Sequence, residues 1–315
     1  DLHSFPTRRS SDLHIAVGIE ISQALARLGV QITAFGAGQS LTAASDPQIN
    51  ERALALLRKE FAIHLGHRAA VSPEGDRVRV LAGDQHVTAD AVFAALGRRP
   101  NLDGLGLQHL GVSLDEQGMP PFNRHTMQIG DLPVYIAGDV NDDLALMHEA
   151  NDEGHISGYN ARRDVSPDMN EAPVCFQRRT PLAITFSDPN IAMVGQRFAD
   201  LDAEQIVIGT VDFSNQGRAR VAAENRGMLR VYANRENGRL LGAEMCAPRG
   251  EHLAHLLALA IGNRRTVQEL LGMPFYHPVF EEGLRTALRD ASRRLERTSG
   301  SDLAGCDPVG ASALD

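Results

Sequence analysis

The chain has 315 residues, 43% of them apolar, a formal charge of -9 and no tryptophan. That is enough apolar material for two or three hydrophobic cores. Lysine and arginine scattered through an acidic chain leave no electrostatic footprint for nucleic acid and no polybasic face for a membrane. No apolar run reaches the roughly 18 residues needed to span a bilayer. The N-terminus, with a proline and two arginines but no apolar stretch, is not a secretory signal. The expected location is cytoplasmic. Cys175, Cys246 and Cys306 stand too far apart for a short redox pair and read as free thiols.

Residues 1–13, DLHSFPTRRSSDL, resemble the reading-frame translation of a sequencing adapter and are set apart as a non-native segment, the authentic chain being expected to start near His14 or Ala16. From Ala16, residues Val17, Ile21, Leu25 and Leu28 recur at helical spacing. Gly29 is the stop, and Val30, Ile32 and Ala34 then alternate like a strand. A helix feeding a strand in this way is the second half of a βαβ unit. The pattern next predicts a helix from Pro47 to Glu60, a polar hairpin from Ala69 to Val87, and a turn ending ADAVFAALGRRPN.

Gly104–Val112 reads as a glycine-rich loop and PVYIAGDV as a short apolar strand stopped by Gly138 and Asp139. A helix follows from about Leu144 to Arg163. Beyond the linker VSPDMNEAP, LAITFSDPNIAMVG predicts two strands about a Ser-Asp-Pro-Asn turn. MLRVYANRENGRLLGAEMC predicts a second hairpin turning at Glu236–Gly238. Helices from His252 to Ile261 and Glu281 to Leu295 close the domain, and 296–315 lacks periodicity and is expected to be disordered.

A dinucleotide-binding turn needs glycines so that backbone amides can approach the pyrophosphate. With Gly18 as the third glycine of such a motif, the first two positions hold Leu13 and Ile15, and a β-branched side chain blocks that approach. Gly18 alone is equally an ordinary packing glycine.

Gly97-Arg98-Arg99-Pro100-Asn101, then GLGLQHLGVSLDEQG, Val134–Val140, Leu146–Ala150 and Asp152–Gly154 resemble, in order and spacing, the flavin-dependent pyridine nucleotide disulfide oxidoreductases. TFSDPNIAMVG and FYHPVFEEG resemble that family's C-terminal dimerisation domain, with the dihydrolipoyl dehydrogenases as the nearest branch. The resemblance implies an α/β plus α+β fold: a truncated Rossmann-like NAD(P)-binding domain over 14–103, a second FAD-binding segment over 104–170 and an interface domain over 171–295. It implies FAD and NAD as cofactors. NADP stays open, because the position that would carry an acid or an arginine to choose between them is Gly36. It further implies a homodimer through the C-terminal domain and, in an intact enzyme, the dihydrolipoyl group of an acyltransferase subunit as partner. The family's N-terminal flavin domain and its Cys-x-x-x-x-Cys pair have no counterpart in this sequence, so the chain alone is expected to be inactive, with apolar surface exposed over 104–163.

The same resemblance gives residue roles. Asp139 accepts a hydrogen bond from a ribityl hydroxyl of FAD, with Leu146, Met147 and His148 lining the flavin; standing alone, Asp139 reads as a helix cap. Asp139, Asn141 and Asp143 imitate a calcium loop, but Leu144 and Ala150 occupy the positions that need Gly and Glu. Glu20 lies near the nicotinamide ring, or serves as a first-turn acid on the helix dipole. Gly97 underlies the nicotinamide nucleotide. His277 is the base and Glu282 its orienter. A thiol with a pKa near 8.5 must lose its proton before it attacks a disulfide, and an imidazole near 6.5 steered by a carboxylate suits that task. Val279 stands where the family has threonine. His252 and His255, one helical turn apart, lack a third ligand, so no metal is expected. Two alternatives stay open: a non-catalytic module for dimerisation and nucleotide binding, and the same portion of a glutathione- or mercury-type reductase.

Overall fold

The computed structural model describes residues 12–41, 44–166 and 172–295. The expectations for 1–11 and for 296–315, Cys306 included, lie outside these residues. Helix α1 (Asp12–Arg27) gives way to Gly29, whose φ of 92° is a left-handed turn that glycine takes without strain, and the chain enters strand β1 (Thr33–Gly36). Helix α2 (Pro47–Leu57) carries proline at its start, where no backbone donor is needed. Asp46 caps it by accepting from the Gln48 amide at 2.9 Å. Its buried residues Ile49, Ala53 and Leu57 fall four apart on one stripe. Strand β2 (Ala62–Leu65) pairs in parallel with β1, so α2 is the crossover of a Rossmann-like strand–helix–strand unit. The sequence pattern does not announce β2.

Strands β3 (Ala70–Glu74), β4 (Arg77–Ala82) and β5 (Gln85–Ala89) form an antiparallel meander where the pattern predicts a single hairpin. The third strand follows from Gly83, which with φ of 59° opens a second tight turn of the kind Gly75 makes between β3 and β4.

By its contacts the chain divides into two compact units: among the described residues Leu96–Arg179 belongs to one, and Ile15–Ala95 with 180–295 to the other. In Leu96–Arg179, PVYIAGDV is not the expected strand. It makes one bridge, Gln128 to Tyr135, and two further backbone bonds, Ile129 N to Val134 O and Ile136 N to Met127 O. A strand needs a continuous ladder, and Gly138 (φ 79°, ψ -166°) turns the chain away before one can form. Leu102, Ile129 and Ile136 make the small core of this unit. Helix α3 (Met147–Val165) starts later than the predicted Leu144, since Asp142 is left-handed and Leu146 extended. Buried Asn160 on α3 bonds Thr126 O, Val174 O and Val174 N, tying the outgoing segment to the unit. Leu105 and Met147 lie exposed, as expected of this region.

The remaining elements are β6 (Leu182–Thr185), β7 (Asn190–Gly195), β8 (Ile206–Asp212), α4 (Gly217–Val221), β9 (Met228–Asn234), β10 (Leu240–Ala247), α5 (Gly250–Gly262), α6 (Val267–Leu271) and α7 (Glu281–Ser292). The five strands form an antiparallel sheet in the order β6-β7-β10-β9-β8. Both predicted hairpins are present; β8, α4 and α6 were not anticipated. Gly209 occupies an inward position of β8 between Val207 and Val211, and the structure needs it, since a Cβ there would lie 2.0 Å from Ala287 O of α7.

Alternation along the strands sorts the sheet into two faces. Leu229, Val231, Ala243 and Met245 point to one side and join Leu253, Leu257, Leu284 and Leu288 of α5 and α7 in the main core. On the other side Cys246 and Ile191 pack with Ile19, Ile49, Ala53 and Leu57 of α1 and α2. Burial pushes the Cys246 thiol up to about 12. The same side carries a buried charged network. Glu244 accepts from Ser45 N (2.7 Å), Ser45 Oγ (2.7 Å), Asp46 N (2.6 Å) and Phe198 N (2.9 Å), while Asp46 accepts from Arg230 and from Tyr232 OH at 2.8 Å. Among the described residues no helix is long and apolar enough to cross a membrane.

Replacing Asp46 by Ala strands a buried guanidinium and uncaps α2, and is expected to cost about 3–5 kcal/mol. Asp90→Ala, which removes the exposed partner of Arg77, is expected to cost less than about 1 kcal/mol. Urea unfolding followed by circular dichroism reads both; comparable losses would contradict the network's role.

Candidate functional site

Phe275–Glu282 leads into the first turn of α7. The His277–Pro278 peptide is cis. The Glu282 carboxylate lies 3.0 Å and 3.1 Å from His277 Nδ1 and also accepts from Val279 N at 3.2 Å. Because an ionised carboxylate can only accept, Nδ1 carries the proton and Nε2 is the basic nitrogen of the neutral ring. The hydrogen bond from His277, helped by the Val279 amide and opposed by burial, holds Glu282 below the usual carboxylate range. The His277 side chain is 77% exposed and Glu282 only 24%, so the orienter is sheltered and the base is open.

Two residues that the sequence reading passed over shape this corner. Gln216 donates to Val279 O at 2.7 Å while its side-chain oxygen accepts from Ala219 N at the start of α4. Gly283 lets α7 lie against Phe213, where a Cβ would meet the ring at 2.7 Å. A glutamine directly before a short helix gives no periodic signal, and a glycine inside a helix reads only as a weak helix former.

In Leu96–Arg179, Asp139 opens a single 3₁₀ turn, Asp139–Asn141, directly after Gly138. Its side chain is 51% exposed and lies 3.8 Å from Arg98 Nη1. Arg98 follows Gly97, whose φ of 99° disfavours any side chain. Leu146 is half-buried, whereas Met147, 91% exposed, and His148 begin α3 with open side chains. The Asp139 carboxylate is thus open to solvent, with Arg98 as its charged neighbour. The third member of the imitated calcium loop, Asp143, is ion-paired to Arg178 at 2.7 Å.

Gly18 packs toward Ala95, whose Cβ would lie 3.3 Å from an added one. Glu20 accepts a hydrogen bond from Phe186 N at 2.7 Å. Its expected alternative, a first-turn acid on the helix dipole, is overturned: α1 begins at Asp12, so Glu20 lies two turns in, where the dipole has little hold. In sequence, the two earlier glycine positions of a motif ending at Gly18 hold Leu13 and Ile15. His255 on α5 places Nδ1 2.6 Å from Glu251 O.

Residues 16–154 match the pyridine nucleotide-disulphide oxidoreductase family, and 182–288 match that family's dimerisation domain. The chain belongs to the pyridine nucleotide-disulphide oxidoreductases. Members of the family are FAD- and NAD(P)-dependent flavoprotein disulfide reductases. A mercuric reductase of Acidithiobacillus ferrooxidans is 31% identical over 301 residues, covering 94% of this chain and 53% of the relative. A dihydrolipoyl dehydrogenase of Bacillus subtilis is 28% identical over 279 residues, covering 86% and 58%. Among solved structures, LpdA from Mycobacterium tuberculosis superposes with a TM-score of 0.73 at 26% identity, over 87% of this chain and 59% of that one. The HOCl-induced flavoprotein disulfide reductase RclA from Escherichia coli, at 20% identity and a TM-score of 0.75 over 87% of this chain and 62% of that one, shares the fold. The chain thus spans little more than half the length of the curated relatives it matches.

Glu282 has a lowered pKa, so the stabilisation its contact with His277 provides is present above the ordinary carboxylate pKa and is lost as pH falls through the lowered value. Long-range proton–nitrogen NMR spectra are expected to show the neutral His277 ring protonated on Nδ1. In Glu282→Gln that preference should vanish; an unchanged tautomer would disprove the orienting contact.

Proposed function

We propose that this chain is the proton-accepting, dimer-forming part of a cytoplasmic FAD-dependent disulfide oxidoreductase that passes electrons from dihydrolipoamide to NAD. The observation that carries the reading is the His277–Glu282 contact at 3.0 Å. Glu282 holds the Nδ1 proton, Nε2 takes the proton of a substrate thiol, and the resulting imidazolium is stabilised by the same carboxylate. The thiolate left behind is the nucleophile for a disulfide. Asp139 accepts from a ribityl hydroxyl, with Leu146, Met147 and His148 beside the ring; the family resemblance assigns Gly97 and Glu20 each a nicotinamide contact. FAD, when bound, supplies the electron passage between a dithiol–disulfide couple and the nicotinamide.

The functional unit on this reading is a homodimer built through 182–288, which matches the dimerisation domain. Its dithiol is the dihydrolipoyl group of an acyltransferase subunit. The remaining flavin contacts and the redox disulfide must come from chain beyond the part matched here, so this chain alone turns nothing over. The 31% identity to a mercuric reductase favours a second reading, in which the same half serves an enzyme of mercuric type.

A fusion placing this chain behind the part of the Bacillus subtilis dihydrolipoyl dehydrogenase that it does not match tests the proposal. Dihydrolipoamide-dependent NAD reduction is expected, and His277→Gln should lower kcat by about 100-fold or more at unchanged flavin content. Full activity in His277→Gln overturns the assignment of the base. Hg(II)-dependent NADPH oxidation in place of dihydrolipoamide turnover selects the second reading.

A further inference from the structure

Beneath Asp139 lies a cluster that the proposed chemistry does not use. Glu153 of α3 is fully buried. One of its carboxylate oxygens accepts from Gly138 N at 2.7 Å and from Asn141 Nδ2 at 2.7 Å; the other accepts from Arg178 at 2.7 Å. Arg178, on the segment leaving the unit, also reaches Glu149 and Asp143 at 2.7 Å each. A carboxylate taken wholly out of water is tolerated only when its lone pairs are filled. Here three donors fill them, and two of the three belong to residues 138–141, on either side of Asp139.

We propose that Glu153 is the positioning residue of the ligand-facing turn. It clamps residues 138–141 from below so that the Asp139 carboxylate is held outward at fixed height, and Arg178 locks Glu153 in the orientation that does this. The geometry supports a clamp over a generic buried ion pair. Gly138 adopts φ 79° and ψ -166°, a region essentially closed to other residues, and Asp142 is left-handed at φ 55°. A segment with two such residues needs an external hold, and the Gly138 amide and Asn141 side chain both find theirs on one oxygen. Glu149 touches Arg178 but neither Gly138 nor Asn141 by any contact described here, which makes it the internal control. The ligand named for Asp139, a flavin polyol, rests on the function proposed above; the clamp itself does not.

Hydrogen exchange of the full chain, read over 138–143, separates the two. Glu153→Gln keeps size and burial but sets an amide NH₂ against Arg178, and it is expected to speed exchange there about tenfold or more. Glu149→Gln should leave these amides unchanged, and the Gly138 amide proton should move upfield in the first variant only. Exchange unaffected by Glu153→Gln, or quickened equally by Glu149→Gln, overturns the clamp. In the fusion described above, which supplies the remaining flavin contacts, bound FAD should slow exchange over 138–143 with the wild-type sequence and fail to do so with Glu153→Gln. Protection in neither would overturn the flavin reading of Asp139 while the comparison without flavin still decides the clamp.

Discussion

The pairing of Asp46 with Arg230, backed by Glu244, is the contact on which the larger unit depends. Asp46 is at once the cap of α2 and the counter-ion of a guanidinium on β9, and Glu244 on β10 gathers the amides of Ser45, Asp46 and Phe198. One helix start is thereby fixed to two adjacent strands. The apolar stripe of α2, Ile49, Ala53 and Leu57, then falls against Ile191 and Cys246 without further adjustment. Two carboxylates and one guanidinium buried together would be a liability if any partner were missing. Here the backbone supplies enough donors to satisfy the excess negative charge.

The legible parts of the fold are those where one period dominates. The hairpins around Ser187–Asn190 and Glu236–Gly238 carry alternation and turn chemistry together, and both form. Helices α2 and α5 show an apolar stripe with recognisable ends. The parts that escaped are governed by partners far away in the chain. Strand β8 carries Gly209 at an inward position because α7 packs against it there, and PVYIAGDV lacks a ladder because Gly138 turns aside. Helix α6 did carry a local signal, the Thr266–Glu269 capping box, but its five residues give no periodicity to accompany it.

The site follows the same division. His277 and Glu282 are close in sequence, so a family resemblance could pair them, and the structure brings them within hydrogen-bonding distance. Gln216 stands 63 residues from the group it holds and belongs to no motif, while Glu153 falls in the Asp152–Gly154 string but holds Gly138, 15 residues away, which the string does not reveal. Residues that touch a ligand tend to fall within recognisable strings. Residues that aim them are placed by the tertiary fold and become visible only with coordinates.

The five-stranded sheet has a further implication. With α5, α6 and α7 filling one side and α1 and α2 occupying the other, neither broad surface of the sheet is left to receive a second copy. A twofold assembly of this unit therefore has the outward flanks of its helices and the rims at β6 and β8 to work with.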